Sequence, residues 1–208
     1  MKEFLEYLEF NKKYSSYTVI NYENDLAIFK QLLGLESNDI IANHSAYIGN
    51  LKDDDVFYIK SRGISEQEMY RLLYRSLLLG KMNLDKEEEL FNKLDKYKEL
   101  LIEWNKKFNL TTIIEEKDIY LKHFFDSLYL STQCSFDGKE ICDIGTGAGF
   151  PGMVLAIVFN KGHFTLMESN NKKVVFLEAV KADLCLDNVN IISARAEDYG
   201  KKNREIFD

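Results

Sequence analysis

Between Ile141 and Gly152 the chain reads Ile-Cys-Asp-Ile-Gly-Thr-Gly-Ala-Gly-Phe-Pro-Gly. A short apolar strand ends in an acid, and the acid runs into a loop with glycine at every second position. Asp143, Gly145, Gly147 and Gly149 form a D-x-G-x-G-x-G pattern. Glycines suit such a loop because a chain without Cβ makes the tight turn and lets a ligand rest against backbone N–H groups. The dinucleotide fingerprint is G-x-G-x-x-G. Here the third glycine comes one residue early and an acid stands two residues before the first. Taken alone, the pattern also fits an ordinary glycine-rich turn from strand to helix.

The surroundings lay out further strands. Residues 162–168, Gly-His-Phe-Thr-Leu-Met-Glu, read as a second strand ending in Glu168. A nucleotide-binding α/β fold places a ribose-binding carboxylate about 20 residues past its glycine loop. Residues 188–194 read as a third strand, followed by Arg195, Ala196, Glu197 and Asp198. Between the second and third, residues 171–184 have helical spacing, with Val174, Val175, Leu177, Val180 and Leu184 expected on one face. The order β-loop-α-β-α-β predicts an α/β fold, a parallel sheet with crossover helices. Pro151 is expected at the first position of the helix after the loop, where proline fits.

The glycine loop and its acid resemble motif I of the class I S-adenosylmethionine (SAM) methyltransferases. Longer strings make the resemblance specific. Glu103-Trp104-Asn105-Lys-Lys-Phe108-Asn109-Leu110-Thr111 comes first, then Lys122-His123-Phe-Phe-Asp126-Ser127-Leu128. The run 143–152 and the string Glu168-Ser-Asn-Asn-Lys-Lys-Val-Val-Phe-Leu177 complete the set. Together, residues 84–208 resemble the bacterial small-subunit rRNA methyltransferase G family, also called glucose-inhibited division protein B. The resemblance implies a cytoplasmic enzyme with a Rossmann-like sheet that uses SAM to methylate N7 of a guanine in 16S rRNA. Its partner would be that RNA or the small ribosomal subunit, and a monomer is expected. It also implies a cofactor site at Asp143, Gly145, Thr146, Gly147, Gly149, Phe150, Glu168, Ala196 and Glu197. Gly145 and Phe150 would line the pocket, Glu168 would hold the ribose hydroxyls, and Ala196 and Glu197 would flank the adenine.

In that family the chain continues past the equivalent of Asp208, and a complete sheet has seven strands. Residues 205–208, Glu-Ile-Phe-Asp, read as the start of a fourth. The expectation is an incomplete methyltransferase domain, whose Asp143 strand lacks a neighbour on one side and exposes apolar surface around Ile141 and Ile144. Activity would suffer accordingly.

The front of the chain resembles other families. Phe4-Leu-Glu-Tyr-Leu8, with Tyr14, Ser15, Thr18, Tyr22, Asp25, Leu26 and Phe29, is similar to the first helices of the tyrosine recombinase core-binding domain. Residues 36–83 resemble the C-terminal end of SufB/SufD iron–sulfur assembly scaffolds, through Asn43-His44-Ser45-Ala46 and Phe57-Tyr58-x-x-Ser61-Arg62-Gly63-Ile64-Ser65. A lone His44 is more simply a polar residue than a metal ligand. Ser65 and Glu68 read as a capping box for a helix running to about Leu79. Three segments are therefore expected: 1–35 and 36–83, both mainly helical, and 84–208. The rival to the methyltransferase reading is a non-catalytic chimera or fragment, with a front derived from a DNA-binding or scaffold protein.

Composition limits the alternatives. The 208 residues are 46% hydrophobic and 29% charged, enough for one core of ordinary size or two small ones. No run of 18 apolar residues occurs, so no membrane span is expected. Cys134, Cys142 and Cys185 lack metal or disulfide spacing; Cys142, inside the first strand, is expected as a small buried hydrophobe. No metal is expected. The net charge of −7 divides into −2 over residues 1–83 (10 basic, 12 acidic) and −5 over residues 84–208 (17 basic, 22 acidic). A nucleic-acid binder usually has a basic face. Only small clusters are present, at Lys106-Lys107, Lys172-Lys173 and Lys201-Lys202 with Arg204.

Two helices are predicted ahead of the first strand. One spans residues 87–107 with a stripe of Leu90, Leu94, Tyr97, Leu101 and Trp104. The other spans residues 119–130 with Leu121, Phe124, Phe125 and Leu128. His123 is expected to pack or hydrogen-bond beside the cofactor rather than act as a base, because guanine N7 is already nucleophilic.

Overall fold

The computed structural model describes Ser65, residues 69–71, Tyr74, residues 87–201, Asn203 and residues 205–208. The chain divides into two units, Met1–Asp85 and Lys86–Asp208. In the first, Met69, Tyr70, Arg71 and Tyr74 are helical. The Met69 N–H donates to the Ser65 carbonyl at 3.0 Å, inside the helix expected there. The recombinase-like segment, His44 and the partner position Glu68 of the capping box lie outside the described residues.

The second unit is a mixed α/β structure. It opens on α1 (Glu87–Phe108). A helical run follows: one turn of α2 (Glu116–Asp118), a π-helical turn (Ile119–Phe125), and α3 (Asp126–Tyr129). Then come β1 (Glu140–Ile144), α4 (Gly152–Val158), β2 (His163–Glu168), α5 (Asn171–Asp183), β3 (Val189–Ser193) and α6 (Ala196–Gly200). The strands pair in parallel in the order β1-β2-β3. Asp143 lies opposite Leu166, and Glu168 opposite Ser193. This is the three-strand α/β layout that the sequence predicts.

Helices α4 and α5 pack on β2 and β3, and α1 packs against both of them. One face of the sheet thus carries a helical layer, as same-handed crossovers require. The core follows from that layering. Phe164, Leu166 and Met167 of β2 are buried, as are Leu94, Tyr97 and Leu101 of α1 and Phe124 and Leu128 below it. Tyr97 stacks on Phe124, Phe150 and Phe176 with ring centroids 5.5, 5.5 and 6.3 Å away. The α1 stripe is buried as its spacing predicts, with Trp104 half-covered against Phe176. Lys98 is also buried on this helix. It pairs with Glu116 and sets its ammonium 5.0 Å from the Tyr120 ring centroid, so its charge is not left uncompensated.

Four expectations need correction. On α5 the buried residues are Phe176, Leu177 and Val180, whereas Val175 is 56% exposed. Leu177, Val180 and Leu184 are buried as predicted and Val174 is half-buried, but the large Phe176 ring takes the inward place expected of Val175, against Tyr97 and Trp104. Pro151 is not the first helical residue; it sits at the cap position and the helix starts at Gly152. Cys142 is half-buried, because β1 lies at a sheet edge. Residues 119–125, expected as α-helix, form the π turn, which buries Ile119 and Tyr120 as well as the predicted stripe.

At the open edge of β1, the Asp208 N–H donates to the Glu140 carbonyl and its carboxylate accepts from the Glu140 N–H, both at 2.8 Å. Ile144, at the other end of β1, is 64% exposed, as expected, while Ile141 is half-covered. Among the described residues no helix is long and apolar enough to cross a membrane, and no cluster of metal-ligating side chains occurs.

Asn188 closes the far end of the sheet. Its amide donates to the carbonyls of Ala156, Phe159 and Gly162 at 3.0, 3.4 and 3.2 Å. The Ala156 carbonyl lies in the last turn of α4, which leaves it without an intrahelical partner, and the Phe159 carbonyl also accepts from the Gly162 N–H at 3.0 Å. We expect Asn188→Ala to cost about 1–2 kcal/mol by removing this shared donor, above all from the Ala156 carbonyl, measured by urea denaturation. An unchanged midpoint would show that solvent serves those carbonyls equally well.

Candidate functional site

Parallel strands deliver their C-terminal ends to one edge of the sheet, and the crevice there is where open α/β sheets place ligands. Here β1 ends beside Asp143 and β2 ends in Glu168. The loop between β1 and α4 is tied to both. The Gly145 and Thr146 N–H groups donate to the Met167 carbonyl at 2.8 and 3.2 Å. The Gly149 and Phe150 N–H groups both donate to the Thr146 carbonyl, at 2.9 and 3.0 Å, which closes the turn.

The Asp143 carboxylate holds the loop from below. Its Oδ2 accepts from the Thr146 hydroxyl at 2.6 Å and from the Gly152 N–H at 2.9 Å, clamping the start and the end of the turn together. Burial pushes the Asp143 carboxyl up from its ordinary value, against these two hydrogen bonds, which pull it down. Ionised Asp143 therefore costs stability. For a raised acid, that cost grows as pH climbs from the unfolded value of 3.8 through the folded one, and is constant above it. An Asn at this position keeps the acceptor oxygen without the charge. The stability advantage of Asp143→Asn over the native chain should widen across that window, read from urea midpoints between pH 3 and pH 7. A gap that stays constant with pH would refute the assignment.

Glu168 ties the second strand to the loop. It is 8% exposed. Its Oε2 accepts from the Gly147 N–H at 3.0 Å, and its Oε1 accepts from the Asn170 N–H at 2.8 Å. Asn170 in turn caps α5, accepting from the Lys172 N–H at 3.0 Å.

The loop glycines differ in what surrounds them. A Cβ at Gly145 would meet nothing within 4 Å, and one at Gly147 would find only Lys173 Nζ at 3.8 Å and the Gly145 carbonyl at 3.9 Å. That side of the loop is an open cradle of backbone. Gly149 and Gly152 face the protein: a Cβ on either would run into packed side chains, those of Tyr97 and Met153 at Gly149 and those of Leu166 and Asp143 at Gly152.

Two rings stack on Phe150. Tyr97 stacks on it at 5.5 Å, with its hydroxyl donating to the Ala148 carbonyl. Burial, and secondarily the charge of Asp143, holds the Tyr97 phenol well above its ordinary value, so it stays protonated as a donor. His123 stacks parallel to Phe150 with centroids 4.1 Å apart. Its Nε2 is hydrogen-bonded to the Thr111 hydroxyl at 3.1 Å. Burial lowers the His123 pKa, which keeps the ring neutral at pH 7.

The sequence-predicted residues therefore fall into three places. Asp143, Gly145, Thr146, Gly147, Gly149 and Glu168 form one hydrogen-bonded unit. Phe150 stands behind it, in the aromatic stack. Ala196 and Glu197 open α6, one strand further along the same edge, with Ala196 half-buried and Glu197 exposed. Asn170, Tyr97, Thr111 and Asn105 join the site without having been singled out for it. Asn170 was legible as an N-cap before an apolar-periodic run. The other three depend on contacts between elements distant in sequence.

Comparison with known proteins gives the same picture. A family model described as rRNA small subunit methyltransferase G matches residues 90–208. Another, described as the SUF system FeS cluster assembly SufBD core domain, matches residues 32–77. The ribosomal RNA small subunit methyltransferase G of Fusobacterium nucleatum is 48% identical over 130 residues, covering 62% of this chain and 56% of the relative. That of Staphylococcus epidermidis is 49% identical over 115 residues, 54% of this chain and 48% of the relative. That of Mycoplasma mycoides is 47% identical over 131 residues, 63% of this chain and 96% of the relative. The chain thus spans about half the length of the first two and nearly all of the third. With more than half of its residues matched by one family model and the loop, acid and strand order in place, the chain belongs to the rRNA small subunit methyltransferase G family.

Proposed function

We propose that the second unit binds SAM at the carboxyl edge of β1 and β2, and serves methyl transfer to N7 of a guanine in 16S rRNA. The observation that carries this reading is the bond between Glu168 and the Gly147 N–H beside an open face of the loop. A nucleoside ligand needs that arrangement: a backbone surface that it can lie against, and a carboxylate at the next strand end for its ribose hydroxyls. The residues fit the cofactor. Gly145 and Gly147 would form the floor of the pocket, Glu168 would accept from the ribose, Phe150 would supply an apolar wall, and Ala196 with Glu197 would border the base.

When bound, SAM supplies an electrophilic methyl group on sulfur. The chain's own residues have a positioning task. N7 of guanine offers a lone pair and loses no proton on methylation, so no general base is required, and a neutral, stacked His123 is compatible with that. Alignment of donor and acceptor is then the main source of rate. The target would be the small ribosomal subunit or its RNA, in the cytoplasm.

Calorimetric titration with SAM, S-adenosylhomocysteine and NAD tests the ligand. The two adenosyl sulfur compounds should bind and NAD should not. Tighter NAD binding would sink the reading, and no binding by any of the three would favour a non-catalytic chain.

A further inference from the structure

Thr111 and His123 sit at the end of a chain of contacts that the cofactor reading does not use. The Asn105 side chain grips Thr111 on both sides, accepting from its N–H at 2.9 Å and donating to its carbonyl at 3.0 Å. The Thr111 hydroxyl accepts from the Ile113 N–H at 3.1 Å and meets His123 Nε2 at 3.1 Å. The imidazole then lies flat on Phe150, with an interplanar angle of 0°. Phe150 itself is fastened to the loop through its N–H bond to the Thr146 carbonyl. Asn105, on α1, is thereby connected through one hydroxyl and two stacked rings to the turn holding Gly145 and Gly147.

Stacking alone fixes the distance between two rings but leaves each free to slide in its own plane. A hydrogen bond at the ring edge removes that freedom. Phe150 stacks on Tyr97, whose hydroxyl is anchored at Ala148. For the His123 ring stacked on Phe150, the matching anchor is Thr111. We infer that Thr111 and His123 are positioning residues for the cofactor cradle: the Thr111 hydroxyl fixes the imidazole, and the imidazole fixes Phe150 and with it the turn from Thr146 to Phe150. The inference rests on the proposed SAM reading and adds to it two residues remote from the glycine loop in sequence.

The test combines a double-mutant cycle with a measurement on the ligand-free chain. Thr111→Val removes the hydroxyl and His123→Phe keeps the stack without the edge bond. Each should weaken SAM binding by about tenfold, and the double variant should be no weaker than either single one, because both break the same link. Thr111→Ser, which keeps the hydroxyl, should bind within about twofold of the native chain. The chain has only three histidines, His44, His123 and His163, so the ring nitrogens of His123 can be identified by nuclear magnetic resonance. In the native chain they should report one neutral tautomer, and in Thr111→Val a mixture of two.

Circular dichroism and thermal midpoints confirm that each variant is folded. If folded Thr111→Val and His123→Phe bind SAM as the native chain does, or if their effects add, the inference is overturned. If the native chain itself fails to bind SAM, the cofactor reading falls and this inference falls with it. An unchanged tautomer in Thr111→Val would remove the hydroxyl from the mechanism even where affinity drops.

Discussion

Replacing Gly152 with Ala should destabilise the second unit by about 3 kcal/mol, the upper end of what overpacking a dense interior costs. The added methyl would run into Leu166 Cδ2 and lie 2.8 Å from Asp143 Oδ2 and 3.0 Å from Asp143 Cβ. Leu166 is fully buried in the central strand and cannot withdraw. Asp143 cannot move without releasing both the Thr146 hydroxyl and the Gly152 N–H. One methyl group thus damages the core and the clamp under the loop together. Urea denaturation followed by tyrosine and tryptophan fluorescence measures the loss. A midpoint within experimental error of the native one would mean that α4 can slide away from β2 at little cost.

Gly147→Ala should show the opposite profile: a folded protein that no longer binds SAM. Gly147 has φ of +65°, so a side chain there carries the left-handed penalty of about 1–2 kcal/mol. Nothing in the protein obstructs the methyl, since its nearest neighbours stand 3.8 and 3.9 Å away. The Gly147 N–H remains available to Glu168. The methyl projects into the open face of the loop, where the nucleoside would lie. Affinity should fall at least about a hundredfold, comparable to other cases of a group forced into an occupied pocket. Val at the same position should abolish binding, because its branched Cβ is still bulkier. Normal SAM affinity in either variant would move the site away from this loop. The pair Gly152→Ala and Gly147→Ala therefore separates the glycine that the fold needs from the one that the ligand needs.

The strands, the glycine loop and the acid at the end of the second strand were legible because each is local. Alternating glycines after an apolar run, and an acid where the next run stops, are patterns of adjacent residues. Strand ends came within a residue or two of their observed positions for the same reason. The inward face of α5 was not legible to that accuracy. Val174, Val175 and Phe176 are three consecutive apolar residues, and periodicity cannot say which of them turns outward; the aromatic neighbours Tyr97 and Trp104 decide it. Cys142 looked like a core residue because the strand is apolar, but the coverage of a strand depends on its place in the sheet. The link from Thr111 through His123 to Phe150 spans residues 12 and 27 positions apart. No spacing rule reaches so far. His123 could be placed near the proposed cofactor site only through family likeness, and its partners came from the fold.

The π-helical turn at Ile119–Phe125 carries a consequence for how this segment tolerates changes in length. Its i→i+5 bonding accommodates one residue more than an α-helical turn would. Removing a single residue there, such as the exposed Lys122, would let the segment relax into regular α-helix. Each residue of an α-helix turns the chain by about 100°. Without Lys122, the buried Tyr120, Phe124, Phe125 and Leu128 would come to the i, i+3, i+4, i+7 spacing of one α-helical face, so they could stay seated in the core. The turn thus stores one residue of slack: a loss inside it is absorbed as π becomes α, whereas a loss from the α-helical residues beside it shifts the phase by about 100°. A deletion scan across residues 116–130 should find its best-tolerated positions on the exposed face of this turn, at Lys122, and more harmful ones in the α-helical residues 126–129 that follow.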